Sequence, residues 1–342
     1  MRTLSWICPI SLLFIALACE KPKTAAPALP AAEQRIVIYT SVDRQISRRI
    51  LDDFSKQTGI QIDMQTDTEA TKSVGLAERL EAEKDNPQCD VWWGNEPFHT
   101  INLANRGLLA SYDSPSAKDI PARYKDPQNR WASAGLRVRV IARTTAEPGA
   151  AKAASVKNIL DLKNPDLKGK ITMAKPFAGT TTGHKAAYYT LWGPAAFEQF
   201  LADLKLNGLK LVGGNGPVAE MVGAGTLWVG LTDNDDVTAM QREGGKLDMI
   251  LPDQGEAGIG TLAVPTTVAL VAGAKNPDAA KKLIDHLLSK ELEHRLVAEK
   301  FAHLTTRDAA AQKTIKLMDV DYTKVAENMK ATVVAARKVF GL

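Results

Sequence analysis

From Ile36 onward, apolar residues recur with two periods that alternate along the chain. Short apolar runs at IVIYT (36–40), QIDMQ (61–65) and CDVWW (89–93) predict strands, whereas Ile46, Ile50 and Phe54 recur at helical spacing and stop at Gly59. LAERLEAEK (76–84) and HTINLANRGLL (99–109) add helices after the second and third strands. A second series then begins. GKITMA (169–174) predicts a strand, and FAGTTTGH (177–184) leads into a helix through Tyr188 and Tyr189. AFEQFLADLKLNG (196–208) places Phe197, Phe200, Leu201 and Leu204 on one helical face and ends at Gly208. LKLVGGNGPVAEMVGAG (209–225) reads as strand, turn and short helix with Asn215 as its cap, and TLWVGL (226–231) as a further strand. KNPDAAKKLIDHLLSKELEHRLV (275–297) is periodic throughout and predicts one long helix led by Pro277. Strand–helix alternation of this kind predicts α/β layering.

Two segments break the alternation. WASAGLRVRVIART (131–144), with no helix expected after it, and IGTLAVPTTVALVAG (259–273) are long and extended, as crossings between two lobes would be. The first lobe is then discontinuous, 34–135 plus 265–342, and the second is 136–264. In open α/β layers, ligands bind beyond the carboxyl ends of strands, where loops enter helix N-termini. That rule collects Ser41 and Asp43 after the first strand and Asn95 and Glu96 after the third. It adds Thr180, Thr181 and Thr182 of AGTTTGH, Asn215 of GGNG, and Asp233, Asp235 and Asp236 of GLTDNDDV (230–237). Trp92 and Trp93 alternate across one strand, so one is expected in the core and the other in a cleft, and His184 is expected on a helix surface or partly packed.

The amino terminus changes the picture of where this body works. MRTLSWICPISLLFIALAC carries Arg2, then an apolar stretch, then Ala16 and Ala18 before Cys19. It reads as a bacterial lipoprotein signal, 1–18, with Cys19 lipidated, and EKPKTAAPALPAAEQ reads as the flexible tether, 19–33. This places the protein on the periplasmic or extracytoplasmic face, lipid-anchored to a bacterial membrane. Of three cysteines only Cys89 then remains as a free thiol, which excludes an intramolecular disulfide and a cysteine-based zinc site. A net charge of +4, scattered rather than blocked, gives no nucleic-acid signature.

Three aspartates in four positions are a chemical problem, because unit charges about 5 Å apart repel by roughly 0.8 kcal/mol even in water. Water, a helix N-terminus, a metal ion, a cationic ligand or acid–base chemistry would each resolve it. AGTTTGH has the small residues and hydroxyls of an oxyanion cradle at a helix start, and it lacks the G-x-x-x-x-G-K-[ST] pattern of a nucleotide loop.

Taken in order, VIYTS, DVWWGNEPF…ANRGLL, TTTGH, GNGPVAEMVGAG, GLTDNDDV and NPDAAKKLIDHLLSKE resemble the extracellular solute-binding proteins of ABC importers, and among them the ferric-ion-binding branch. The resemblance implies an α/β, two-lobed periplasmic binding protein of type 2, each lobe a mixed sheet flanked by helices, joined by two crossover hinge segments. It implies a monomer that captures a small ligand or metal ion between its lobes and delivers it to a membrane permease, with no catalysis and no catalytic cofactor. Where iron binders of that branch carry two adjacent tyrosines, this chain has Asp235 and Asp236. Asp43 matches a histidine of the branch, Asn95 or Glu96 the acidic ligand of the next loop, and the TTT loop, Asn215 and Asp233 the contacts to a synergistic anion.

Asp43, Glu96, Asp235 and Asp236 would give a hard-oxygen site for Fe(III), Ca²⁺ or Mn²⁺ as cargo. A hard metal cation is therefore the expected cargo, and the alternative on the same residues is an organic cation, or a zwitterion such as an aminophosphonate with its anion in the TTT loop. A secreted carboxylate-dependent hydrolase is the competing class, but the chain lacks a G-x-S-x-G elbow and the aromatic richness of sugar-binding clefts. GLTDNDDV also fails as an EF-hand loop, because Thr238 and Gly244 stand at its sixth and twelfth positions.

Overall fold

Both series of predicted strands become parallel sheets, and long antiparallel strands join them. The computed structural model describes residues 35–67, 71 and 73–342. The expected signal peptide, the tether and Cys19 lie outside the described residues. Ten strands follow in chain order: β1 (Arg35–Thr40), β2 (Gln61–Thr66), β3 (Val91–Gly94), β4 (Leu109–Ala110), β5 (Ala132–Thr144), β6 (Ile171–Ala174), β7 (Lys210–Val212), β8 (Val229–Asp233), β9 (Leu247–Ile250) and β10 (Ala263–Val271). They line up as β2-β1-β3-β10-β5-β8-β6-β7, with β4 beside β10 and β9 beside β5. β1 pairs in parallel with β2 and β3, and β6 in parallel with β7 and β8.

Strand β5 holds the two halves together by changing partners. Through Val138 it pairs antiparallel with β10, and from Arg139 it pairs antiparallel with β8, so Arg139 lies opposite Asp233. A register shift in β10 between Pro265 and Thr267 accompanies the crossing. Because side chains alternate along a strand, Arg137 and Arg139 share one face while Val138, Val140 and Ala142 share the other. The valine face packs on Ala219, Val222 and Val237.

The helices are α1 (Arg44–Thr58), α2 (Val74–Ala82), α3 (Pro97–Asn105), α4 (Ala150–Ala154), α5 (Gly179–Trp192), α6 (Pro194–Leu206), α7 (Asn215–Gly223), α8 (Asn234–Arg242), α9 (Pro277–Leu287), α10 (Lys290–Ala298), α11 (Ala309–Gln312) and α12 (Tyr322–Phe340). Four expectations change. The single helix over 275–297 is two, because Ser289 leaves helical geometry and its hydroxyl accepts the Leu292 N–H, starting α10 afresh. Helix α4 does follow the extended stretch 131–144. Trp92 and Trp93 are both buried, since β3 is central and covered on both faces. The C-terminal helix α12, which the sequence pattern did not predict, packs on α3, α5 and α6. Helices α3 and α5 also meet directly. A Cβ at Gly183 would sit 2.0 Å from the Phe98 ring, so only glycine permits that approach.

Candidate functional site

The face of β5 that carries two arginines is the centre of the site. Arg137 Nη2 donates to Asp233 Oδ2 and to Asp235 Oδ1, each at 2.8 Å, and its Nη1 donates to the Asn95 carbonyl at 3.3 Å. Arg139 Nη1 donates to Asp233 Oδ1 at 2.6 Å, to Thr180 Oγ1 at 3.1 Å and to Asn215 Oδ1 at 3.2 Å. All four charged side chains are buried. The repulsion among the aspartates is thus relieved from inside the protein, by strand neighbours two residues apart. Breaking one of these buried pairs would leave its partner as an uncompensated charge.

The two paired aspartates differ electrically. Burial pushes both carboxyls up. For Asp233 the guanidiniums of Arg137 and Arg139 and the Thr180 hydroxyl outweigh burial and bring its pKa down to about 2. For Asp235 burial prevails over Arg137, and repulsion from Asp43 and Asp233 adds to it, so its pKa rises to about 7. Asp233 is the more firmly ionised of the two, and Asp235 the more readily protonated.

Each expected site residue can now be placed. Thr180 Oγ1 donates to Asp233 Oδ2 at 2.6 Å, and Thr181 Oγ1 to Asn215 Oδ1 at 3.0 Å, so these two threonines, Asn215 and Asp233 form one network with Arg139. Thr182 donates back to the Ala178 carbonyl within its own helix. Asn215 is the first residue of α7 rather than its cap, a position held by Gly214, and its amide turns toward Asp233 at 3.1 Å. Ser41 and Asn95 are buried and bonded to each other, with Ser73 donating to the same Asn95 oxygen.

The carboxylates are spent unevenly. Glu96 caps α3, accepting the N–H of Phe98 at 2.6 Å and the His99 ring Nδ1–H at 2.9 Å. Asp236 turns back on its own helix, accepting from the Thr232 hydroxyl at 3.0 Å and the Asp233 N–H at 3.4 Å. Asp43 starts α1 and shares with Asp235 the lining of a cavity of about 320 Å³. Among the described residues, the acidic group able to converge on an ion is Asp233, Asp235 and Asp236, which offer oxygens within 4.8 Å of one another. Arg137 already bridges the first two.

A second feature is built from backbone. The cap positions of helices α5 and α7 are held by Ala178 and Gly214, neither of which supplies a side-chain cap. Both starts line one cavity of about 120 Å³, with Lys175, Gly179, Thr180 and Thr181 on one side and Gly213 and Asn215 on the other. The first turn of a helix has N–H groups without intrahelical partners, and its dipole favours negative charge there. Two such starts facing one cavity, with a lysine at its edge, suit an oxyanion.

Sequence reasoning did not find Arg137 or Arg139, and its expectation of His184 on a helix surface or partly packed is corrected, because α5 is covered there and Arg139 and Tyr188 close on the ring. His184 is buried, with Nδ1 accepting from Arg139 Nε at 3.2 Å and Nε2 against the Tyr188 hydroxyl, and burial, then Lys185 and Arg139, hold it well below its usual pKa. The available signal was RVRV itself: two arginines at period two inside an otherwise apolar strand must meet buried anions.

The family described as bacterial extracellular solute-binding protein matches residues 36–299. A periplasmic protein of Salmonella typhi named for 2-aminoethylphosphonate binding is 28% identical over 247 residues, 72% of this chain and 69% of that one. The major ferric iron-binding protein of Neisseria meningitidis serogroup B is 25% identical over 290 residues, 83% of each chain. The periplasmic binding protein AfuA from Actinobacillus pleuropneumoniae, solved with fructose-6-phosphate bound, superposes with a TM-score of 0.79 at 24% identity, covering 91% of this chain and 99% of that one.

Proposed function

This chain belongs to the bacterial extracellular solute-binding protein family, and from that premise we propose that its cargo is a small organic solute bearing a phosphate or phosphonate group. The observation that carries the proposal is the cavity shared by the uncapped starts of α5 and α7. Arg139 supports it, because its Nη1 holds Thr180 and Asn215 while its Nη2 is buried with no hydrogen-bond partner among the described residues. Asp43 and Asp235 repel each other, so an amino group on the same solute, as in an aminophosphonate, would be attracted by both.

The solute is held between a first lobe, 34–135 plus 265–342, and a second, 136–264, which hinge about β5 and β10 and close as ligand adds contacts to both. The closed monomer delivers it to the permease of an ABC importer, as an extracytoplasmic protein tethered through lipidated Cys19. Titration calorimetry with methylphosphonate, 2-aminoethylphosphonate and inorganic phosphate tests the cargo. Binding weakened at least about tenfold by Asn215→Leu is the expected result, on the scale of one lost charge-assisted hydrogen bond. Absence of binding by all three compounds would refute it.

A hard metal cation is the second reading, favoured by the three convergent carboxylates of Asp233, Asp235 and Asp236. It requires Arg137 to leave the position between Asp233 and Asp235. Native mass spectrometry before and after chelation separates the two, since the metal reading requires a bound ion mass that chelation removes.

A further inference from the structure

We infer that the cargo carries an apolar or aromatic body beyond its anionic group, and that this body lies in the groove between α2, α3 and α12 with Phe177 as the residue that selects it. The inference rests on the phosphate-or-phosphonate reading above. The groove is a cavity of about 610 Å³, five times the 120 Å³ of the oxyanion cavity and of the size that small-molecule sites occupy. Phe177 lines both, and Thr182 of the groove follows Thr181 of the oxyanion cavity in the chain, so the two cavities adjoin at the start of α5 and the Phe177 ring stands where a molecule anchored in one would enter the other.

The opposite direction is less suited to an apolar body. The cavity beside Asp43 and Asp235 is more than half charged, with Arg44, Arg242, Glu243, Glu299 and Lys300 beside those two aspartates, and its apolar part is Ile46, Ala239 and Phe301. The groove instead offers Leu103, Phe177, Met329 and Val333. Its charges balance, with Arg106, Lys330 and Arg337 against Glu78, Glu81 and Glu327, so nothing there asks for a second charged group. The Arg337 guanidinium stands 4.7 Å from the centre of the Phe177 ring, which holds that ring in place.

Calorimetry on the mature chain with inorganic phosphate, methylphosphonate and phenylphosphonate tests this. Phenylphosphonate is expected to bind about tenfold or more tightly than methylphosphonate, the gain from removing one ring from water. Phe177→Ala, and independently Val333→Asp on the facing helix, should erase that gain, and Val333→Asp, which lines the groove and not the oxyanion cavity, should leave the affinity for inorganic phosphate unchanged. Equal affinity of the two phosphonates, or a gain that survives both substitutions, overturns the inference while leaving the anion reading intact. Failure of all three compounds to bind overturns both.

Discussion

Helices α5 and α8 each start just beyond a strand of the same sheet, yet the first turn of α8 is capped by its own side chains and that of α5 is not. Helix α8 brings its own acid: Asp236 accepts from the backbone of Asp233, and Asp233 and Asp235 are held by arginines of β5. Helix α5 begins Gly-Thr-Thr-Thr after Ala178 with no capping side chain. A helix start that carries its own anions is satisfied by the fold, whereas one that lacks them leaves N–H groups open to water or to an anion. An acidic cluster is therefore good evidence of where a site is and weaker evidence of what it holds.

The most damaging way to break the comparison is to remove the arginine that both starts share. Arg139→Leu leaves Arg137 as the single guanidinium facing both buried aspartates, Asp233 and Asp235, and is expected to cost about 3–5 kcal/mol, measured by urea unfolding. A cost under about 1 kcal/mol would mean that Asp233 is solvated or otherwise partnered. Asn215→Leu acts on the α5 side of the comparison, with the loss of phosphonate affinity given above and a smaller cost in stability than Arg139→Leu, because it removes hydrogen bonds to Asp233, Thr180 and Thr181 but no charge.

Acidity sharpens the contrast next. Asp235 has a folded pKa of about 7, above the roughly 4 of an unfolded chain, so the folded state holds the extra proton between those values. Its contribution is fully present below about pH 4 and is lost as pH rises through about 7. Asp233, held at about 2, acts with the opposite sign and loses its contribution only as pH falls below about 4. Asp235→Asn should therefore flatten the decline in stability from pH 4 to 7, read from unfolding midpoints across that range. An unchanged slope would place the titrating group elsewhere. Smallest of all, Asp236→Ala removes a helix-start acceptor and should cost about 1 kcal/mol with phosphonate affinity kept. Abolished binding in that variant would return Asp236 to the ligand set.

Much of the fold was legible because periodicity reports burial directly. The alternation of apolar runs, the stop at Gly59 and the helical face of Phe197, Phe200, Leu201 and Leu204 all reappear, and the family expected from the ordered motifs is the family to which the chain belongs. The break at Ser289 was hidden because apolar spacing continues through it, and only the hydroxyl's hydrogen bond marks the restart. The site was legible in location more than in chemistry. Loop position pointed to Asp233 and Thr180, but their counter-charges sit on a strand read as a plain crossing, and pairing across strands does not show in a linear pattern. Asn215 was read as a cap because its residue type suits one, while the backbone gave that place to Gly214 and left the amide for the network.

The central claim is that the starts of α5 and α7 hold the anionic group of the cargo. A crystal structure of the mature protein grown with 2-aminoethylphosphonate tests it most directly. The account predicts phosphonate oxygens within hydrogen-bond distance of the backbone N–H groups of Gly179 to Thr181 and of Asn215, with Arg137 still bridging Asp233 and Asp235. No ligand at those N–H groups, with Arg137 displaced by an ion among Asp233, Asp235 and Asp236, would contradict it.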